Sequence, residues 1–116
     1  MRVNWIIFNG KKILYSDYRN LKPDEMLKQL DEETKIILNS PGNVLYLGNF
    51  ENTTITSEFM TKGKQVGKST KHLVDKSAFV GITGLKSMLQ NAFSMFTGIQ
   101  AKAFSNENDA KDYLIK

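Results

Sequence analysis

The sequence lacks cysteine altogether and contains one histidine among its 116 residues. Without cysteine there can be no disulfide bond, thiolate metal site or thiol nucleophile. The lone histidine, His72, has no partners at the spacing that a zinc site or a catalytic triad requires. We therefore expect no metal site and no cofactor, and we predict that the protein is not an enzyme.

Long apolar runs are also absent. The longest early run, Trp5 to Phe8, is shorter than the core of a signal peptide and far shorter than a membrane span. Proline is scarce, with two residues, and the composition of 41% hydrophobic and 24% charged residues is typical of an ordinary globular protein. These features predict one domain over residues 1–116, a cytoplasmic location and no transmembrane segment.

The net charge of +4 is unevenly distributed along the chain. Residues 59–104 carry seven lysines and a single acidic residue, Asp75. A nucleic-acid surface would also need interleaved aromatic residues or a groove-reading motif, and neither accompanies these lysines. We therefore do not expect nucleic acid as a partner.

The first half of the chain predicts a hairpin followed by alternating helices and strands. Asn9 and Gly10 separate two apolar runs and favour a type I′ turn between strands at 3–8 and 11–17. A helix then follows over 22–38, with Pro23 in its first turn, and an apolar strand follows near 43–50. In this helix the spacing predicts an inner face of Leu27, Leu30, Thr34 and Ile37, with Asp31, Glu32 and Glu33 on the solvated face.

The second half continues the alternation. Thr56 is suited to be the N-cap of the next helix, whose inner face is predicted to include Phe59, Gly63, Val66, Gly67, Thr70, Leu73 and Val74. A buried strand at 77–83, a helix at 83–98, a strand at 101–104 and a final helix capped by Ser105 or Asn106 complete the order ββαβαβαβα. This order predicts an α/β fold with a mixed, mostly parallel sheet and helices packed on it.

Two glycine-containing motifs raise the question of phosphate binding. The stretch "GKQVGKST" at 63–70 has three residues between its glycines where a phosphate-binding loop has four, and it lies within a predicted helix. Its amides are therefore expected to be bonded within the helix. The stretch "GITGLKS" at 81–87 does lie at a strand-to-helix junction, where amides at Gly84 and Leu85 beside Lys86 are compatible with an anion or with a structural turn.

Methionine and phenylalanine enlarge the apolar face of the helix predicted at 83–98. Met88, Phe93, Met95 and Phe96 lie on or beside that face. Core packing is the simpler interpretation, and contact with a small apolar, lipid-like ligand is the alternative.

Four phrases, "ILYSDYRNLKPDEML", "NVLYLGNFENTTITSEFM", "SAFVGITGLKSMLQNAF" and "AKAFSNENDAKDYL", cover nearly the whole chain. In their order and content they resemble the small bacterial SpoIIAA-like proteins of the STAS superfamily. That fold is shared by anti-sigma factor antagonists and sulfate transporter tails, and has been compared with CRAL-TRIO lipid-binding domains. The resemblance implies a regulatory or protein-interaction module, with a partner such as an anti-sigma-like kinase or another regulator.

The resemblance also implies where such a module acts. Anti-sigma antagonists carry a phosphorylatable serine in an Asp-Ser-Ser-Gly-like turn at the start of the helix after the third strand. The matching region here is "NTTITSEF", which places Thr56 and Ser57 as candidate phosphoacceptors and lacks the aspartate and glycine of that turn.

In architectures of this kind, ligands bind near the carboxyl ends of the parallel strands. We accordingly expect a protein partner or small ligand at Asp17, Asn49, Thr56, Ser57, Thr83, Gly84 and Lys86. A carrier of a small apolar ligand is the alternative function. The sequence does not decide whether two copies pair along the edge strands of the hairpin to form a homodimer.

Overall fold

A computed structural model describes residues 2–82 and 100–116 of the chain. In these two ranges the backbone forms five strands and three helices. In chain order they are β1 (Val3–Phe8), β2 (Lys11–Asp17), α1 (Pro23–Leu38), β3 (Val44–Asn49), α2 (Ser57–Thr70), β4 (Val74–Val80), β5 (Gln100–Phe104) and α3 (Glu107–Ile115).

The five strands form one mixed sheet in the order β1-β2-β3-β4-β5. Strands β1 and β2 pair antiparallel, whereas β2, β3, β4 and β5 pair parallel to their neighbours. The predicted α/β class with an N-terminal hairpin and a mostly parallel sheet is confirmed. The helix predicted at 83–98 lies outside the described residues.

The hairpin turn has the predicted chemistry. Asn9 and Gly10 both have positive φ angles, 49° and 79°, as a type I′ turn requires. Because this turn has the twist of the flanking strands, it sets their register, and Phe8 lies opposite Lys11.

Helix α1 begins at Pro23, which needs no amide hydrogen in the first turn, and the Glu25 carboxylate accepts a hydrogen bond from the Lys22 amide at 2.9 Å. Its inner face differs from the predicted one. The buried residues are Met26, Gln29, Leu30, Glu33 and Ile37, while Leu27 and Thr34 are only half-buried. The prediction that Glu33 is solvated was therefore wrong.

Helix α2 begins after Thr56, as the sequence predicted, and it ends before the last two residues of its predicted inner face. The Thr56 side chain accepts a hydrogen bond from the Phe59 amide at 3.1 Å, which confirms it as the N-cap. The helix ends at Thr70, so Leu73 and Val74 do not extend its inner face, and Val74 instead starts β4. Gly63 to Thr70 lie in this regular helix, which is inconsistent with a phosphate-binding loop.

Helices pack on both faces of the sheet. One apolar cluster joins the sheet to α1 and α2 and includes Leu14, Tyr18, Met26, Tyr46 and Phe59. A second, smaller cluster lies on the opposite face, where Ala110 and Leu114 of α3 cover β2, β3 and β4. Because both faces of the sheet are covered, β3 and the second half of β4 are almost continuously buried.

Candidate functional site

The carboxyl ends of three neighbouring strands meet at one edge of the sheet. Asp17 is the register neighbour of Asn49, and Asn49 is the register neighbour of Val80. Thr56 and Ser57 follow β3 at the start of α2. We call this set of residues, Asp17, Asn49, Thr56 and Ser57, the strand-end surface. It contains four of the seven residues that the sequence predicted to bind a partner.

Asn49 is 1% exposed, and its side chain is engaged within the protein. Its amide donates to Glu107 Oε2 at 2.7 Å and to Glu51 Oε1 at 3.2 Å. The Tyr15 hydroxyl donates to the same Glu107 oxygen at 2.5 Å, and burial together with this carboxylate raises the pKa of Tyr15. Asn49 thus holds β3 against the start of α3. Its buried side chain supports the exposed members of the strand-end surface and is not itself available to a partner.

Asp17 lies at the rim of the surface in a bidentate ion pair. Arg19 donates to its two carboxylate oxygens at 2.9 and 3.0 Å, and these hydrogen bonds lower the pKa of Asp17. The Arg2 guanidinium donates to the Arg19 carbonyl, which joins the start of β1 to the segment that follows β2, next to this ion pair. The arrangement keeps Asp17 ionised and fixes its orientation.

Thr56 and Ser57 differ in their availability. The Thr56 hydroxyl oxygen is occupied by the cap of α2, and the residue is half-buried. Ser57 is exposed at the first position of the helix. Of the two candidate phosphoacceptors, Ser57 presents the more accessible side chain.

The other predicted binding residues fall outside the described part of the chain. These are Thr83, Gly84 and Lys86 of the anion-binding candidate and Met88, Phe93, Met95 and Phe96 of the apolar candidate.

A cavity of about 60 Å³ lies between the sheet and helices α1 and α2. Its walls are mostly apolar and aromatic, and they include Phe59, Gly63 and Gly67 from α2 and Tyr46 and Phe79 from the sheet. Aromatic rings pack around it: Tyr18 and Phe50 stack with centroids 4.5 Å apart, and Phe50 and Phe59 meet edge to face with centroids 6.0 Å apart. The lining has the apolar character of a small-molecule site, but its volume is far below the roughly 300–1,000 Å³ of sites for drug-sized ligands, so only a very small molecule would fit.

Among the described residues that line this cavity, Glu33 is the one with a carboxyl group, and it is 4% exposed. Three hydroxyl groups donate to its Oε1 atom. They belong to Ser16 at 2.8 Å, Tyr46 at 3.0 Å and Tyr18. Gln29 supports the cluster, since its amide donates to Ser16 Oγ at 3.0 Å and to the Asp17 carbonyl at 2.9 Å.

The electrostatics of Glu33 follow from two opposing effects. Burial disfavours the carboxylate, while the three hydroxyl donors favour it. Burial dominates and raises the pKa of Glu33 from its ordinary value of 4.5 to about 7. The pKa values of Tyr18 and Tyr46 rise well above their ordinary range for the same reason, so both hydroxyls stay protonated as donors.

Sequence reasoning missed this cluster although the chain carried a signal for it. Glu33 lies three residues after Leu30 and four before Ile37, which is the spacing of an inner helix face. Glu33 was assigned to the solvated face together with its acidic neighbours Asp31 and Glu32. Its hydroxyl partners lie 13 to 17 residues away in sequence, so the helix pattern does not reveal them.

Within residues 2–82 and 100–116, no group of three acidic, histidine or cysteine side chains is arranged to hold a metal ion. In the same ranges, no helix combines the length and the apolar character needed to cross a membrane.

Comparison with known proteins informs the fold. No family model and no curated protein matches the sequence. Among solved structures, the chain is similar to an uncharacterised protein of the DUF3478 family with a SpoIIAA-like fold, from Shewanella loihica PV-4. The two chains superpose with a TM-score of 0.74 over 97% of this chain and 91% of the other, at 13% sequence identity. The resemblance noted in the sequence is thus confirmed at the level of structure: this chain has a SpoIIAA-like fold.

Proposed function

We propose that this protein is a non-enzymatic regulatory module that binds a protein partner through the strand-end surface. The observation that carries the proposal is the exposed Ser57 at the first position of α2, beside the strand ends of a SpoIIAA-like sheet. A partner that docks here would contact backbone and side chains that the Asp17 and Asn49 hydrogen bonds already hold in place. Such preorganisation lowers the entropic cost of binding.

Phosphorylation of Ser57 would control this surface. A phosphoserine adds a charge of about −1.5 to −2 and would lie at the positive end of the helix dipole, which favours it locally. Glu58 is exposed next to it, so the modified surface would be strongly acidic. We therefore expect the phosphorylated form to release a partner with an acidic face.

The experiment combines partner capture with a matched control on the same helix. Wild-type protein, Ser57→Glu and Ser69→Glu are used as baits in the native host, since Ser69 is exposed in the last turn of α2. Captured proteins are then purified and tested for direct binding by hydrogen exchange of the bait. We expect protection at 17–20, 49–53 and 56–58, and at least tenfold weaker binding by Ser57→Glu alone.

Two results would contradict the proposal. One is a partner that binds wild type and Ser57→Glu equally. The other is protection confined to a different surface, such as the outer face of the hairpin.

A second function, binding of a small apolar molecule, is favoured by a separate observation. The cavity beneath α1 and α2 has aromatic walls and one carboxyl group, which is the composition of a ligand site and unusual in an ordinary core. Native mass spectrometry of protein purified from its host tests it. A retained small molecule supports a carrier or sensor, and a bare protein mass under several ionisation conditions argues against it.

A further inference from the structure

Among the described residues, the hydrogen-bond donors to the Glu33 carboxyl group all reach the same one of its two oxygens. Each hydrogen bond that the structure gives this side chain ends on Oε1, and no described residue donates to Oε2. The titratable groups that face the carboxyl group are Tyr18 from the end of β2 and Tyr46 from β3. The described part of α1, α2 and β4 contributes no cationic group to this cluster.

A buried carboxylate requires compensation of its charge. In proteins such a group is paired with a cation or is protonated, because transfer of an unpaired charge from water is very costly. The three hydroxyl donors on Oε1 partly stabilise the anion, so a proton and a cation would compete closely for Oε2 near neutral pH. A cation at Oε2 would therefore stabilise the ionised form of Glu33, and no described residue of this cluster supplies one.

The cavity sets the size and character of that cation. A volume of about 60 Å³ is well below the roughly 150 Å³ of an apolar cavity that holds benzene, so it favours an amine with a short alkyl chain over a larger ring. Tyr18, Phe50 and Phe59 line the cavity, and their rings provide an apolar surface that accepts an alkyl group. An alcohol of the same size would fill the space without neutralising the carboxylate.

We propose that this cavity binds a small aliphatic ammonium ion, which donates to Glu33 Oε2 and packs its alkyl group against the aromatic walls. The proposal rests on the second function proposed above, small-molecule binding inside the fold, and assigns the chemical class of the ligand. It is independent of the protein partner at the strand-end surface.

The test uses propylamine, with 1-propanol and propionate as neutral and anionic probes of similar size. Binding is followed by chemical shifts of the wild-type protein and by the ¹³C signal of the Glu33 carboxyl group, in buffers free of amines. For so small a ligand we expect affinity of about millimolar order. Propylamine should bind at least tenfold more tightly than either probe.

The pH dependence provides a readout that simple cavity filling would not produce. Propylamine stays protonated between pH 6 and pH 8, whereas Glu33 changes from mostly protonated to mostly ionised. We therefore expect about tenfold tighter binding at pH 8 than at pH 6. In saturating propylamine, the apparent pKa of Glu33 should fall below about 6.

Two variants locate the binding site. Glu33→Gln should lose at least tenfold in affinity for propylamine and should lose the pH dependence. Gly67→Val fills the cavity from α2 and keeps the carboxyl group, so it should also abolish binding. If either variant fails to fold, the probe comparison and the Glu33 signal of the wild-type protein still decide the question.

Each alternative result has a distinct meaning. Equal binding of propanol and propylamine would overturn the ammonium assignment and leave small-molecule binding intact. If neither propylamine nor 1-propanol binds, both the ammonium assignment and small-molecule binding in this cavity are overturned. Propylamine binding that is unchanged in Gly67→Val, or that leaves the Glu33 signal unmoved, would place the amine elsewhere and refute the proposal.

Discussion

Replacement of Glu33 by glutamine should make the protein less sensitive to pH. In the folded protein the pKa of Glu33 is about 7, whereas the unfolded chain has the ordinary value of 4.5. Between these two values the folded state therefore holds a proton that the unfolded state releases. The free energy of unfolding must fall as pH rises through this window, and the decrease is complete above about pH 8.

The magnitude follows from the difference between the two pKa values. At 1.36 kcal/mol per pH unit, the wild-type protein should lose about 3 kcal/mol between pH 4 and pH 8 through Glu33 alone. Glu33→Gln lacks this contribution. Its stability relative to wild type should therefore increase by about 3 kcal/mol between pH 4 and pH 8, whatever the packing cost of the substitution.

Urea denaturation followed by far-UV circular dichroism at the two pH values measures this difference. Glu32→Gln, at an exposed neighbouring position, is the matched control and should follow the wild type at both pH values. A stability difference between wild type and Glu33→Gln that stays constant within about 0.5 kcal/mol would refute the reasoning. It would mean that the carboxyl group is solvated or already paired with a cation.

Three further substitutions test individual contacts. Tyr18→Phe removes a buried donor to the carboxyl group and should cost about 1–3 kcal/mol, more at pH 8 than at pH 4, as urea melts at both pH values would show. Thr56→Ala removes the helix cap and should lower the free energy of unfolding by about 1 kcal/mol. Thr54→Ala, at an exposed site, should change it by less than about 0.5 kcal/mol, and equal effects of the two substitutions would exclude a stabilising cap. Gly81→Ala and Gly10→Ala both place a side chain at positive φ. A Cβ at Gly81 would lie 2.5 Å from the backbone nitrogen of Glu51, whereas a Cβ at Gly10 meets nothing within 4 Å. Thermal melts should therefore show that Gly81→Ala lowers the free energy of unfolding by at least about 2 kcal/mol more than Gly10→Ala does.

Features that depend on a few adjacent residues were predicted well. The Asn9-Gly10 turn and the Thr56 cap are confirmed, and so is Asn106 as the cap of α3, where its side chain accepts from the Asp109 amide at 2.9 Å. Each is a contact between groups at most three residues apart, so the chemistry that produces it is visible in the sequence itself.

The candidate site was predicted only in part. The alternation of strands and helices correctly brought Asp17 and Asn49 to one edge, because parallel strands share the direction of their carboxyl ends. It did not reveal that the Asn49 amide is bound to Glu107, 58 residues further along the chain. Nor did it reveal the cavity, whose walls come from two helices and three strand regions.

The sequence by itself thus determined the class of fold, the turns and the helix caps, since hydropathy periodicity and local hydrogen bonding suffice for these. Only the tertiary structure decided that Glu33 is buried. A polar side chain can occupy an inner helix position when distant residues satisfy it, and here Ser16, Tyr18 and Tyr46 do so from the sheet. Hydrogen bonds between residues so far apart in sequence form only when the chain has folded, and they produce the charged cavity on which the proposed ligand site depends.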